Sequence, residues 1–273
     1  MTHAIDASDI IEVRAKGPDG TPVLLCRPKA AGTYPCLILL HERYGLVLHT
    51  EDLARTFASR GFVCAAPDLF YAHPDQEALH AGTIGVKPTD VEILALMEDA
   101  FALFAGTPGA DSNRFGLIGV CQTGRYPLVW AAHHPIQAAI TIYGAAQASD
   151  WEVNERFPWG MSGLIDRVKD TSVLGIFGEK DHVISFDDVL NFRNALEKRN
   201  LPYQITIYPD APHGWLNDTM PGRYRPELSK KTWALVLTFL EKKLAPGGAD
   251  LIEWHFEAAR HADYDFTKNV RQA

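Results

Sequence analysis

The chain has 273 residues, of which 47% are hydrophobic and 22% charged, so it is long enough for one globular domain with a substantial core. Its net charge of -8 argues against nucleic-acid binding and against recruitment to an anionic membrane surface, because both need a basic face. No apolar run reaches the length of a membrane span, and no basic segment precedes an apolar one at the N-terminus. We therefore expect a cytoplasmic protein.

Strand and helix patterns alternate along most of the chain. Segments 10–15 and 22–26 flank a Gly-Pro-Asp-Gly turn and predict an antiparallel hairpin. The alternation that follows predicts a mostly parallel sheet with helices on both faces. The predicted elements, read from the sequence, are strand 35–40, helix 49–60, strand 62–66, helix 90–104, strand 114–120, helix 122–133, strands 138–143 and 172–177, helix 186–198, strand 203–208 and helix 227–244.

The expected architecture is a single α/β domain over residues 1–246, since no repeat or change of composition marks a linker. Residues 247–273 form a C-terminal extension in which a short helix is predicted over 250–260. Aromatic residues in this extension indicate that it packs on the body or on a partner chain, so the protein is expected to be a monomer or a homodimer.

Gly119-Val120-Cys121-Gln122-Thr123-Gly124 joins a predicted strand to a predicted helix. This is the context of a nucleophile elbow, in which small residues permit a sharp turn and the central side chain projects from the top of the sheet. A cysteine there is a candidate nucleophile. Thr123 stands where the usual elbow has glycine, and the alternative interpretation is a buried cysteine beside a turn. The other cysteines lie inside apolar strands and are expected to be buried: Cys26, Cys36 and Cys64.

Two later strands end in residues that suit a catalytic acid and base. Asp181 follows strand 172–177, and His213 follows strand 203–208. In an α/β-hydrolase the acid and the base come after the nucleophile in this order, each on a loop behind a later strand. His182 is a second histidine nearby, but Asp181 occupies the position expected for the acid.

Five segments of the sequence together resemble the dienelactone hydrolase family, a group of α/β-hydrolases with a Cys-His-Asp triad. The segments are Gly-Val-Cys121-Gln-Thr-Gly, His41-Glu42-Arg43-Tyr44-Gly45, Pro67-Asp68-Leu69-Phe70, Asp181-His182 and His213-Gly214. The resemblance covers roughly residues 10–244 and implies hydrolysis of a small ester or lactone without a cofactor. It also implies that Glu42 lies beside the thiol and receives its proton when substrate binds.

The chemistry expected of this set is acyl transfer through a thioester. Cys121 attacks the carbonyl carbon, His213 transfers protons, and Asp181 orients the imidazole. The oxyanion is expected to be held by the main-chain N–H groups of Gln122, next to the nucleophile, and of Arg43, in the loop after strand 35–40.

The substrate is less well specified than the reaction. Members of the family that open a carboxylate-bearing lactone hold the carboxylate with arginines, one of them four residues after the catalytic histidine, where this chain has Asn217. Segment 72–89 supplies only Lys87. Arg43 and Arg125 are the remaining cationic candidates, each of which is equally compatible with a surface position. Predicted pocket aromatics, with core packing as the alternative, are Tyr44, Tyr143 and Trp215.

Three functions remain open at this level. The first is a hydrolase of a small ester or lactone, and the second is a promiscuous carboxylesterase that also attacks other activated acyl or phosphoryl esters. The third is a non-catalytic ligand-binding or redox-sensing relative in which Cys121 is a sensor thiol. No metal is expected, because the two candidate histidine pairs, His133-His134 and His255/His261, have no cysteine or carboxylate at the spacing of a metal site.

Overall fold

Nine β-strands form one sheet in the computed structural model, which describes residues 9–246 and 253–258. The order across the sheet is β1-β2-β4-β3-β5-β6-β7-β8-β9. The β1–β2 and β2–β4 pairs are antiparallel, and the other pairs are parallel. The strands are β1 Ile10–Lys16, β2 Pro22–Pro28, β3 Tyr34–Leu39, β4 Val63–Pro67, β5 Ala110–Val120, β6 Ala138–Ile142, β7 Ser172–Lys180, β8 Tyr203–Pro212 and β9 Trp254–Ala258.

Helices cover both faces of the sheet and enclose two separate hydrophobic clusters. One cluster contains side chains of α1 and α7, and the other contains side chains of α3, α4, α5 and α6. Successive residues of β3 alternate between the two, with Leu37 in the first and Ile38 in the second. The α-helices are α1 Leu48–Ser59, α2 Gln76–His80, α3 Asp90–Ala102, α4 Tyr126–Ala131, α5 Gly160–Ile165, α6 Phe186–Lys198 and α7 Pro226–Lys243.

The predicted α/β architecture, with its N-terminal antiparallel hairpin and mostly parallel sheet, is confirmed. Several predicted boundaries shift by a few residues, and two of the differences have a clear physical cause. Strand β5 begins at Ala110, before the predicted start, because Tyr34 and Pro35 of β3 pair with its first residues. The predicted helix 122–133 divides into a 3₁₀ segment, Cys121–Arg125, and α4. Pro127 lies in the first turn of α4, where its missing N–H costs no helical hydrogen bond.

The predicted C-terminal helix is wrong in the part of the extension that the structure describes. Trp254–Ala258 is strand β9, which adds to the sheet in parallel with β8. Trp254 stacks on Tyr203 and donates its indole N–H to the Leu201 carbonyl at 3.0 Å. Pairing along an open strand edge outweighs the local pattern, and the rest of predicted helix 250–260 lies outside the described residues. Within the described chain, no helix combines the length and apolar character needed to cross a membrane.

Candidate active site

The turn between β5 and the 3₁₀ segment has the close packing of a nucleophile elbow. Cys121 at its tip has φ +57°, a left-handed conformation that costs a non-glycine residue of order 1–3 kcal/mol. A Cβ at Gly119 would lie 2.3 Å from the Thr123 carbonyl oxygen, and one at Gly124 would lie 2.7 Å from the Cα of Gly144. Side chains at 119 and 124 are therefore incompatible with this turn.

Thr123, which departs from the usual glycine, closes the same turn with its side chain. Its hydroxyl accepts a hydrogen bond from the Val120 N–H and donates one to the Val120 carbonyl, both at 3.0 Å. The side chain is fully buried, so these bonds satisfy the hydroxyl. The substitution is thus compatible with a tight turn.

Loops after β5, β7 and β8 bring Cys121, Asp181 and His213 into one chain of hydrogen bonds. The Cys121 Sγ lies 3.2 Å from His213 Nε2, and His213 Nδ1 lies 2.8 Å from Asp181 Oδ2. The other carboxylate oxygen, Asp181 Oδ1, accepts the N–H groups of Val183 at 2.7 Å and Ile184 at 3.1 Å. Main-chain donors therefore fix the orientation of the acid.

The environment of His213 favours its charged form. Burial on its own lowers the pKa of the imidazole, but the charges of Asp181 and of the Cys121 thiolate outweigh burial and raise the pKa well above 6.5. The ring lies 5.0 Å from the ring of Tyr143, centroid to centroid. A protonated imidazole held by a carboxylate is the partner that activates a cysteine nucleophile.

Glu42 is buried close to this chain of hydrogen bonds but has its own hydrogen-bond partners. Its Oε1 accepts the Tyr143 hydroxyl at 3.1 Å, and its Oε2 accepts the Asn217 side-chain amide at 2.5 Å. Asn217 is held in turn by Thr219, whose N–H and hydroxyl both donate to its Oδ1. Proton transfer from the thiol to Glu42 stays a prediction, because in this structure the thiol is hydrogen-bonded to His213.

The two predicted oxyanion-hole residues have side chains engaged elsewhere. The Gln122 amide donates to the Val86 carbonyl at 2.7 Å, and the Arg43 guanidinium donates to the carbonyls of Gly82 and Ile84 at 3.3 and 3.2 Å. Both residues line the cavity that contains the Cys121 thiol. A role of their main-chain N–H groups in holding an oxyanion stays a prediction.

A cavity of about 480 Å³ lies over Cys121 and His213. Only some of the residues predicted to contact substrate line it. Tyr44 and Tyr143 line it, whereas Arg125 and Trp215 are not among the described residues that do. The predicted substrate contacts through Arg125 and Trp215 are therefore wrong. Trp215 is fully buried with its ring against Tyr143, and Arg125 is buried in the core below the elbow.

Arg125 belongs to a buried ion-pair cluster. Its guanidinium binds the Asp90 carboxylate through two hydrogen bonds of 2.7 and 2.8 Å and donates to the Asp150 carbonyl at 2.8 Å. Burial raises the pKa of the Asp150 carboxyl to about 6 even though Arg125 lies close to it. The cluster joins α3, the elbow and the segment around residue 150, and a role in substrate contact is replaced by a structural one.

Sequence reasoning missed two cations of the cavity wall, Arg156 and Arg223. They lie on long loops without periodic patterns, and no local signal placed them near Cys121. The wall also carries Arg43 and Lys87. Within residues 9–246 and 253–258, no carboxylate lies within 4 Å of any of these four cationic groups, and no cluster of metal-ligating side chains is present in that part of the chain.

A mostly parallel sheet flanked by helices, with a strained residue at the β5 turn and an acid and a histidine behind later strands, defines an α/β-hydrolase. Comparison with known proteins specifies which kind. A model of the "Dienelactone hydrolase family" matches residues 21–244, and the chain belongs to this family. It is therefore a hydrolase that acts on esters or lactones.

Individual relatives agree with this assignment. A Salmonella typhimurium protein named "Putative carboxymethylenebutenolidase" is 30% identical over 87% of this chain and 89% of its own length. A Bradyrhizobium protein named "Probable 2-oxo-3-(5-oxofuran-2-ylidene)propanoate lactonase" is 23% identical over 86% and 94%. The crystal structure titled "Putative Dienelactone Hydrolase" from Klebsiella pneumoniae superposes with a TM-score of 0.76 at 28% identity, covering 85% of this chain and 99% of that one.

Proposed function

We propose that the chain hydrolyses small esters or lactones through a thioester on Cys121. The observation that carries the proposal is the hydrogen-bonded series from Cys121 through His213 to Asp181 at the elbow, with links of 3.2 and 2.8 Å. Hydrogen-bonded nucleophile, base and orienting acid are the arrangement that covalent acyl transfer needs.

The first half-reaction forms the thioester. The Cys121 thiolate attacks the carbonyl carbon, a C–S bond forms, and the carbonyl electron pair moves to oxygen, where the main-chain N–H groups of Gln122 and Arg43 stabilise it. When the tetrahedral intermediate collapses, the C–O bond of the leaving alkoxide breaks, and the His213 imidazolium gives it a proton.

The second half-reaction returns the free enzyme. His213, now neutral, takes a proton from water as the water oxygen attacks the thioester carbon. The C–S bond then breaks, Cys121 leaves as a thiolate, and the carboxylic acid is released. Asp181 keeps His213 in the tautomer that accepts at Nε2 and offsets the charge of the imidazolium.

A common thioester predicts product ratios that do not depend on the leaving group. Phenyl acetate and p-nitrophenyl acetate would both give acetyl-Cys121, which added methanol and water then divide between methyl acetate and acetate. We expect one ratio for both esters at a given methanol concentration, since the leaving group has departed before the partition. Ratios that differ between the two esters would show direct attack by water and reject the covalent step.

We further propose that the substrate carries an anionic group. Four cationic side chains line the cavity without a carboxylate within 4 Å among the described residues, against one carboxylate, Glu42. Unpaired guanidinium groups favour a carboxylate or phosphoryl ligand. The name of the Bradyrhizobium relative denotes a lactone with a propanoate group, which agrees with this charge pattern. Arg223 is the strongest candidate, because within the described chain its guanidinium has no hydrogen-bond partner.

The charge preference is measurable with two esters of equal shape. For monophenyl succinate and the corresponding phenyl succinamate, we expect kcat/KM to favour the carboxylate by about 10- to 100-fold, the value of one charge-assisted hydrogen bond. Arg223→Gln is expected to remove most of that preference and to leave the succinamate rate within about threefold.

Arg225→Gln is the matched control, because the Arg225 guanidinium is exposed and bonds to nearby carbonyls such as that of Gly222. The control is expected to keep the preference. Equal kcat/KM for the two esters in the wild-type protein, or an equal loss for both esters in Arg223→Gln, would contradict an anion site at Arg223. Comparable rates on lactones and simple aryl esters would instead favour the promiscuous carboxylesterase.

A further inference from the structure

Two segments that carried the family resemblance, His41-Glu42 and Pro67-Asp68-Leu69-Phe70, are joined by the buried ring of His41. The ring is fully buried and lies edge-on to Phe70, with 4.7 Å between centroids. Its Nδ1 lies 2.7 Å from the Glu42 carbonyl oxygen, and its Nε2 lies 3.0 Å from the Leu69 nitrogen. Neither contact involves an atom that reacts in acyl transfer.

The partners of the ring determine its tautomer. The Leu69 N–H can only donate, so His41 Nε2 accepts and carries no proton. The Glu42 carbonyl can only accept, so His41 Nδ1 carries the proton and donates. Burial lowers the pKa of His41, which agrees with a neutral ring.

The Leu69 side of this bridge is rigid. Asp68 donates its N–H to the Pro22 carbonyl of the neighbouring strand at 2.9 Å, and its Oδ1 accepts the Phe70 N–H at 3.1 Å. Leu69 lies between these two anchored residues. The imidazole therefore connects a fixed turn to the loop between β3 and α1. The hydrogen bond from the Leu69 N–H to Nε2 fixes the position of the donor at Nδ1.

The Glu42 carbonyl and the Arg43 N–H belong to the same peptide group. In a trans peptide the C=O and N–H bonds lie in one plane and point in opposite directions. A hydrogen bond that fixes the Glu42 carbonyl oxygen therefore also fixes the direction of the Arg43 N–H. Without it, the peptide plane could rotate and the N–H would change direction even if the rest of the loop stayed in place.

We propose that His41 is a positioning residue that aims the Arg43 N–H at the oxyanion by holding the Glu42 carbonyl oxygen. This inference rests on the proposed function, in which that N–H is one of two oxyanion donors. An oxyanion donor acts only on reactions that generate charge on a carbonyl oxygen. His41 should thus influence acyl transfer and not the intrinsic reactivity of the Cys121 thiol.

The test compares two reactions of the same sulfur in His41→Phe and His41→Asn. Hydrolysis of p-nitrophenyl acetate forms an oxyanion, whereas alkylation of Cys121 by iodoacetamide, in which a C–S bond replaces a C–I bond, forms none. His41→Phe lacks the donor, and we expect its kcat to fall by about 10- to 100-fold while KM stays within about threefold of the wild-type value. The upper end of this range corresponds to the complete loss of one oxyanion donor. The alkylation rate is expected to stay within about threefold of the wild type.

His41→Asn is the rescue variant, because its side-chain amide nitrogen overlays Nδ1 of the imidazole and still donates to Glu42. Its kcat is expected within about fivefold of the wild type, although the Leu69 N–H loses its acceptor and the variant is expected to unfold at a lower temperature than the wild type. His133→Phe is the matched control, because His133 Nδ1 also contacts a main-chain carbonyl, that of Val129, at 2.8 Å. If Phe is too large at 41, His41→Leu removes the same donor.

Three results would overturn the proposal: wild-type kcat in His41→Phe, equal losses in the Phe and Asn variants, or a parallel fall in hydrolysis and alkylation. The last two would show that the ring only supports the loop. Failure of the proposed function is recognised separately, because Cys121→Ala would then hydrolyse the ester as the wild type does, whatever stands at position 41.

Discussion

Replacing Cys121 by alanine is expected to lower kcat for p-nitrophenyl acetate by about 10⁴-fold or more, because it removes the atom that forms the covalent intermediate. Alanine keeps the Cβ, so the left-handed backbone at φ +57° carries the same strain and the fold is expected to be unchanged. Steady-state kinetics under reducing conditions, with thermal unfolding of both proteins, measure the two effects independently.

Cys64→Ala is the matched control for a lost thiol. Cys64 is fully buried in β4, and burial raises its pKa well above the ordinary value, so it is neither exposed nor ionised. We expect a kcat within about twofold of the wild type and a lower unfolding temperature from the cavity that the sulfur leaves. Wild-type turnover by Cys121→Ala would eliminate the thioester mechanism. A wild-type protein with no turnover on esters or lactones would favour the redox-sensing alternative.

The sequence was most informative about residues at the ends of parallel strands. Cys121, Asp181 and His213 each follow an apolar strand directly, and such ends converge on one edge of the sheet, so local patterns were enough to predict a common site. The glycines at 119 and 124 gave a further local signal, since the turn leaves no space for a Cβ at either position.

Interactions between distant segments were not predictable in the same way. Arg125 follows the elbow closely and therefore resembled a substrate contact, but its partner Asp90 is 35 residues away and removes it from the cavity. Arg223 reaches the cavity on a loop without periodicity. Strand β9 depends on the exposed edge of β8, which the sequence of the extension itself does not encode.

The sequence also did not predict which of the site residues bind one another. Glu42 was expected to exchange a proton with the thiol, whereas the structure gives its carboxylate two neutral donors, Tyr143 and Asn217. Asn217 occupies the place of an arginine expected from the family resemblance. Because its amide binds Glu42, it is engaged within the protein, and an anionic substrate group needs another partner. The asparagine at position 217 is therefore consistent with the presence of other cations on the cavity wall.

Asp181→Asn is expected to lower kcat by about 10³- to 10⁴-fold, because it imposes the wrong tautomer on His213. The N–H groups of Val183 and Ile184 donate to Asp181 Oδ1, so the amide oxygen of the variant must take that position. Its NH₂ group then faces His213 Nδ1, which has to accept. The imidazole proton is placed on Nε2, where it can no longer take a proton from the Cys121 thiol.

The same substitution has a second, independent signature in the pH profile. Burial lowers the pKa of His213 and the Asp181 charge is the largest opposing effect, so removing that charge lowers the pKa. The alkaline limb of kcat/KM, where the imidazolium loses its proton, is expected well above pH 6.5 in the wild type and at lower pH in Asp181→Asn. Asp188→Asn, which alters the cap of α6 at Ser185, is the control and should shift neither the rate nor the limb. A variant with kcat within about tenfold of the wild type and an unmoved alkaline limb would assign the orienting role to a group other than Asp181.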